Sequence, residues 1–434
     1  MKWERILVVL AVALFFAALL PGESWASEPD VRVCLRERAQ RLRFSCDTSW
    51  TIYDASGNPL QQVAAGQEVT MNPGGGRIEI QGYAAVASPV IIRSNEGHLK
   101  LEGRPYRGFF RVETQDDGLL AINIVPMEQY LYGVVPREMP ASWPMEALKA
   151  QAVAARTYAL RNMNQRSGAR YDVVSTQLNQ VYGGLSDEQR RASQAVDATR
   201  GQVITYNGAP ILAAYHSSSG GHTENVENVW GYPLPYLVGV KDVDYDSPYY
   251  RWEVTYTFEG LRTYLDRANL GVGDVFEVRL SDDRGVSGRP VEVTVIGSQG
   301  SRTVRSDVFR RAVGLRSTKL DLEVGDATVQ VPETRKAGRN EYVTIVGAAS
   351  TDERPLTYNM VLGAGQEAQR VLDATVAGAG FTAPVVLTFS GGGWGHGVGM
   401  SQYGARALAE EGRDYRAILT YYYTGVDLSE HYAR

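Results

Sequence analysis

Cysteine is nearly missing from this chain of 434 residues, which has two, Cys34 and Cys46. Two cannot build a disulfide framework, and neither lies near a histidine cluster, so a Cys/His zinc site is not expected. Histidine is scarce as well, at five, and the pair His216 and His222 fits no standard ligand spacing. Excess positive charge is absent: the net charge is -5, which gives no support to non-specific nucleic-acid binding. The glycine-rich segment 391–405 is not followed by Gly-Lys-Ser/Thr, and no dinucleotide acid is placed for it, so a phosphate cradle is a weak reading. Ser217–Ser219 beside His216 lack the Gly-x-Ser-x-Gly setting of a nucleophile elbow, and no third triad member is in view.

What is present describes a globular protein. The 44% hydrophobic and 21% charged content suits a sizeable core, and 25 Tyr with 7 Trp supply aromatics with a polar edge, most of them for packing. Residues 1–26 read as a secretory signal: Lys2 and Arg5 precede the apolar run 6–20, Pro21 and Gly22 break it, and Ser24-Trp25-Ala26 offers small residues for cleavage. The run is shorter than the roughly 20 residues of a spanning helix. The mature protein is therefore expected outside the cytoplasm, in the periplasm or on the cell-wall side. In that setting the favoured reading of Cys34 and Cys46 is a short hairpin staple, with two free thiols as the alternative.

Short alternating runs fill the chain from about 30 to 120, at 50–53, 67–71, 77–80, 90–93, 99–102, 109–113 and 119–125, with turn signals between them. The stretch 126–161 then organises the rest. It reads as a strand-like or turn-like opening, an apolar run 131–135, a turn around Pro136–Pro140, and an alanine-rich helix from Met145 with Ser142 and Pro144 at its start. Glu138 stands before that helix, and Lys149 and Arg156, seven residues apart, share a helix face. This is either a site or a capped helix with a solvated basic stripe. Downstream come a helix at 187–199 capped by Ser186, a hairpin around Asn207-Gly208 ending at His216, and the polar loop 216–223. Further helices are expected near 258–268, 306–314, 366–374, 405–412 and 415–422.

Four segments, GVVPREMPASWPMEALKAQAVAARTYAL, TQLNQVYGG, AAYHSSSGGHTEN and GGGWGHGVGMSQYGA, together resemble the SpoIID/LytB family, stage II sporulation protein D and its relatives. They lie in order within about residues 98–426. The resemblance implies an exported protein acting on peptidoglycan glycan strands. Sporulation members are lytic transglycosylases that leave 1,6-anhydro ends, with a catalytic glutamate in a Glu-Met-Pro motif that falls on Glu138 here. LytB members are instead described as modifiers of an amidase, which makes a cell-wall amidase a second expected partner.

A transglycosylase of this kind needs one carboxyl group rather than the two of a hydrolase, because the sugar's own 6-hydroxyl is the nucleophile. Such an acid must begin protonated, which asks for apolar surroundings of the sort Met139, Pro140 and Trp143 supply. Glu128 and Glu146 are the rival acids. Lys149, Arg156, Gln177, Tyr182, His216, Ser217, His396 and Gln402 are the candidate substrate-binding residues, the alternative for the loop residues being a polar network that locks the loops together. No metal and no cofactor are implied, since the chain lacks the extra Cys and His that some members carry after the Tyr-Gly-Gly motif. The expected fold class is α+β: a signal at 1–26, a β-rich region at 27–95, and a mixed helix and sheet domain at 96–428 with a β-rich insertion at about 245–385.

Overall fold

A computed structural model describes residues 28–166, 168–176, 179–326, 342–346, 351–355, 385–430 and 432. The class is α+β, with eight α-helices and several sheets among these residues. The signal read at 1–26, the helix expected near 366–374, Gln177 and His431 lie outside the described residues. The chain forms two compact units, one comprising the chain up to Ala141 with Ala155–Leu212 and Asp427 onward, the other Ser142–Ala154 with Ala213–Val426.

The first unit is built on a seven-stranded sheet in the order Val173–Val174, Asp30–Ala39, Gly118–Pro126, Phe109–Gln115, Val90–Ser94, Trp50–Tyr53, Pro59–Val63. Gly118–Pro126 is paired on both sides, and its first six residues are buried on both faces. A five-stranded sheet (Arg77–Ile80, Val69–Gly74, Leu42–Ser45, Leu99–Leu101, Arg104–Tyr106) shares the core, in which Phe44 meets Phe110 edge-on at 5.2 Å. The alternation at Arg77–Ile80 matches its exposed-buried pattern, as a half-buried strand requires. Cys34 and Cys46 are both buried free thiols. The staple expected between them is not formed: burial pushes the Cys34 thiol up to about 12, and Cys46 Sγ packs against Thr48, Ser94 and His98.

After Pro126 the chain enters helix α1 (Met127–Glu138), where the sequence had suggested strand and turn. The reason is visible in the buried set Met127, Tyr130, Leu131, Val134 and Val135, which recurs at helical spacing and presents one apolar stripe. Pro136 lies in the last turn, where the helix gives up one N–H bond to the Tyr132 carbonyl, and Met139 closes the helix by donating its N–H to Val135 at 2.9 Å. Helix α2 (Met145–Gln165) follows, and its Ala147, Ala150, Ala152, Ala154, Ala155 and Ala159 are fully buried, small enough for close packing on every side. Helix α3 (Arg190–Ala198) begins later than expected, after a 3₁₀ turn at Leu185–Asp187. Asn207 and Gly208 both have positive φ, 51° and 79°, so the hairpin turn forms as the dipeptide predicts.

In the second unit Tyr215–His216 runs parallel to Met400–Ser401. Helix α4 (Val226–Trp230) follows the polar loop. Two three-stranded sheets, Trp252–Thr257 with Val385–Gly391 and Leu320–Asp326, and Val275–Leu280 with Glu292–Gly297 and Gly300–Arg305, pack with helices α5 (Phe258–Arg267) and α6 (Ser306–Val313) around Phe309, Phe389 and Leu261. Helix α7 (Gln402–Glu410) starts earlier than expected because Ser401 caps it, accepting the Gly404 N–H at 3.2 Å. Helix α8 (Tyr415–Tyr422) is capped by Asp414.

Candidate active site

In the first unit Glu138 is the last residue of α1 and is half-buried. One carboxylate oxygen accepts the Val181 N–H at 3.2 Å. That N–H is delivered by the Gln-Val-Tyr-Gly-Gly segment, which returns along α1: Gly183 donates to the Gly133 carbonyl at 3.2 Å, and the Tyr182 ring lies over Gly133. A Cβ at Gly133 would stand 2.8 Å from that ring, so the glycine is what lets the segment close on the helix. Tyr182 itself is buried, donates its hydroxyl to Asn123 at 2.9 Å and stacks 5.1 Å from Tyr130. Expected to touch substrate, it packs instead, and through its backbone neighbour it steadies Glu138.

Arg156 calls for a second correction. It is wholly enclosed, and all five of its N–H donors are engaged: two reach Glu128 at 2.6 and 2.9 Å, and the others reach Thr199 and the carbonyls of Gln202 and Val196. No donor remains for a sugar, because α1 has laid Glu128 directly against it. Glu128 also accepts the Gly201 N–H and the Tyr432 hydroxyl, which removes it as a rival acid.

The second unit holds the other candidates. Lys149 pairs with Glu146 at 2.7 Å, and the other Glu146 oxygen accepts the Tyr415 N–H at the start of α8. Glu146 thus ties one helix start to another. Ser217 is half-buried, and its carbonyl accepts the Tyr403 N–H at 3.0 Å. Gln402 is buried, with its amide 3.3 Å from Gln151.

His216 and His396 are brought together, their rings 5.4 Å apart, with Trp230 5.1 Å from His396. The peptide groups of Val398 set both tautomers. Its carbonyl can only accept, so His216 carries its proton on Nδ1, at 3.1 Å; its N–H can only donate, so His396 Nδ1 is bare, at 3.0 Å. Burial holds His216 well below the usual imidazole range and lowers His396 to about 4. His216 Nε2 is consequently a buried lone pair, with no hydrogen-bond partner among the described residues.

Sequence reasoning missed what holds this loop. Asp244 accepts Ser218 Oγ at 2.5 Å and the N–H groups of Gly220 and Gly221 at 2.8 Å, while Asp242 accepts Ser219 Oγ and Tyr422 Oη at 2.6 Å. Burial, and then the neighbouring Asp244 charge, raise the Asp242 carboxyl. Buried Arg289 donates to the carbonyls of Ser219 and His222. The hint in the sequence was the acidic run Asp242-Val243-Asp244, whose partners lie more than 20 residues upstream and, for Tyr422, 180 residues downstream.

Residues 115–206 match the family described as Stage II sporulation protein. The chain is 30% identical over 386 residues to a Bacillus subtilis protein named amidase enhancer, a match covering 85% of this chain and 51% of that one. It therefore spans about half the length of that relative. It is also 30% identical over 326 residues to stage II sporulation protein D of the same organism (71% of this chain, 76% of the relative). An uncharacterised Brachyspira hyodysenteriae protein is 29% identical over 348 residues, covering 79% of this chain and 77% of the relative.

Proposed function

Because the chain belongs to the SpoIID/LytB family, we propose that it is an exported peptidoglycan lytic transglycosylase with Glu138 as its single general acid and base. The observation that carries this reading is the fate of the three acids around α1 and α2. Glu128 is sealed in an ion pair and Glu146 is tied to Lys149 and α8, whereas Glu138 is half-buried and held in direction by the Val181 N–H.

In this reaction the Glu138 carboxyl gives its proton to the oxygen linking N-acetylmuramic acid to N-acetylglucosamine, and the bond from C1 to that oxygen breaks. The 6-hydroxyl oxygen of the muramyl residue attacks C1, and its proton passes to the Glu138 carboxylate. The acid is restored, no water is consumed, and the new end is a 1,6-anhydro sugar. Export, read from residues 1–26, belongs to the same proposal.

Similarity to a protein named amidase enhancer favours a second reading, a wall-binding partner of an amidase that cuts nothing. Purified protein incubated with glycan strands and analysed by mass spectrometry separates the two. The first reading expects anhydro ends from the wild type and a loss of at least about a hundredfold in Glu138→Gln. If neither protein cuts, and both accelerate an added amidase equally, the second reading holds.

A further inference from the structure

Trp394 is the most exposed of the described tryptophans, with 42% of its surface open. Its loop is clasped rather than loose: Gly393 donates to the Tyr249 carbonyl, Trp394 to Ser218 and Gly395 to Arg316, each at 2.8 Å. Gly393 and Gly395 have φ of 87° and 117°, and a Cβ on Gly393 would strike the Ser218 carbonyl at 2.5 Å. A large apolar ring is thus held out to solvent on a backbone that admits one shape. The ring is also the end of a row. Trp394 meets Tyr249 at 4.3 Å, Tyr249 meets Tyr403 at 6.2 Å, and Tyr403 meets Trp143 at 4.9 Å, all at steep angles.

Guanidinium groups flank both ends. Arg406 stands 5.6 Å from the Trp143 ring and is paired with Glu410 at 2.8 Å. Arg316 is exposed, 5.5 Å from Trp394 and 5.8 Å from Tyr249, and has no ion-pair partner among the described residues.

We propose that the row Trp143–Tyr403–Tyr249–Trp394 is a glycan-binding platform, and that Arg316 selects strands carrying carboxylates. The apolar C–H face of a pyranose carries partial positive charge and lies against the electron-rich face of an aromatic ring. Several rings in line suit a chain of sugars better than a single one. A free guanidinium beside them matches a carboxylate with paired N–H donors. The ligand class is an amino-sugar oligosaccharide bearing acidic peptide or lactyl groups. This inference rests on the peptidoglycan reading above but requires no cutting.

The test uses the full chain as Glu138→Gln, titrated calorimetrically with neutral chitotetraose and with a peptide-bearing glycan fragment. Adding Trp394→Ala should weaken both ligands at least tenfold, with Trp394→Phe retaining most of the affinity. Adding Arg316→Gln should weaken the acidic fragment threefold or more and leave chitotetraose unchanged. Unaltered binding in Trp394→Ala, equal losses for both ligands in Arg316→Gln, or a parent that binds neither ligand overturns the platform. If binding behaves as expected while the wild type cuts nothing, the catalytic reading fails alone. If the wild type cuts and Trp394→Ala binds as its parent does, the platform fails alone.

Discussion

Replacing Arg156 with Met should destabilise the region around α1, although Arg156 itself takes no part in the proposed chemistry. In the wild type the guanidinium and the Glu128 carboxylate are both 0% exposed, joined by contacts of 2.6 and 2.9 Å. Removing the cation leaves a sealed carboxylate with the Gly201 N–H, the Tyr432 hydroxyl and the more distant Arg200 charge to offset it, and takes one donor from each of the Gln202 and Val196 carbonyls. Breaking one side of such a pair costs about 3–5 kcal/mol. The assay is hydrogen exchange read by mass spectrometry on peptides from α1 and from residues 155–165 of α2, which reports this unit separately in a chain of two units. Protection should fall by roughly two to three and a half powers of ten. The double variant Glu128→Leu with Arg156→Met should recover most of it, since a packed apolar pair can replace a buried ion pair. If Arg156→Met kept wild-type protection yet lost glycan binding, Arg156 would be a substrate ligand and not the cation that neutralises Glu128.

Two further outcomes follow from the same geometry. Gly133→Ala places a methyl group 2.8 Å from the Tyr182 ring, so it should cost about 1–3 kcal/mol in a denaturant titration and, by shifting Val181, slow glycan cleavage; normal stability and rate would show that the segment does not depend on close approach. His396 has a folded pKa lowered to about 4 by burial, so it stays neutral in the fold while the unfolded chain takes up protons below about 6.5. Its contribution is therefore complete above pH 6.5 and is lost as pH falls toward 4, by at most about 3 kcal/mol. His396→Gln should flatten the dependence of the urea midpoint over that range, and an unchanged slope would refute the assignment.

The strands were legible because one face of each is buried and the other wet, as at Arg77–Ile80 and Trp50–Tyr53. Helix α1 was misread because Gly133 and Pro136 look like turn residues, although the helical spacing of Met127, Tyr130, Leu131, Val134 and Val135 was there to be counted. Glu138 could be singled out only through the family segments. Nothing local distinguishes it from Glu128, whose partner lies 28 residues along the chain. The same limit hid Asp242 and Asp244, because an acid's role depends on which backbone N–H groups the fold delivers to it. It also hid the unpaired state of Cys34 and Cys46, since proximity across a sheet is not encoded in spacing.

The two functional readings ask the protein to hold glycan in the same manner, and they part over a single proton. That makes Glu138→Gln more informative than a substitution to alanine. One contact that orients Glu138 is an N–H from Val181 to a carboxylate oxygen, and a glutamine side-chain oxygen can accept the same N–H at the same distance. The shape of the segment over Gly133 is preserved, the Tyr182 packing is untouched, and the binding row is left with all its rings. What disappears is the capacity to give a proton to a glycosidic oxygen and take one from a hydroxyl. A variant that still binds glycan but makes no anhydro ends therefore assigns the chemistry to that carboxyl. A variant that still cuts would require a different acid, and neither enclosed Glu128 nor Glu146, paired with Lys149, is placed to serve.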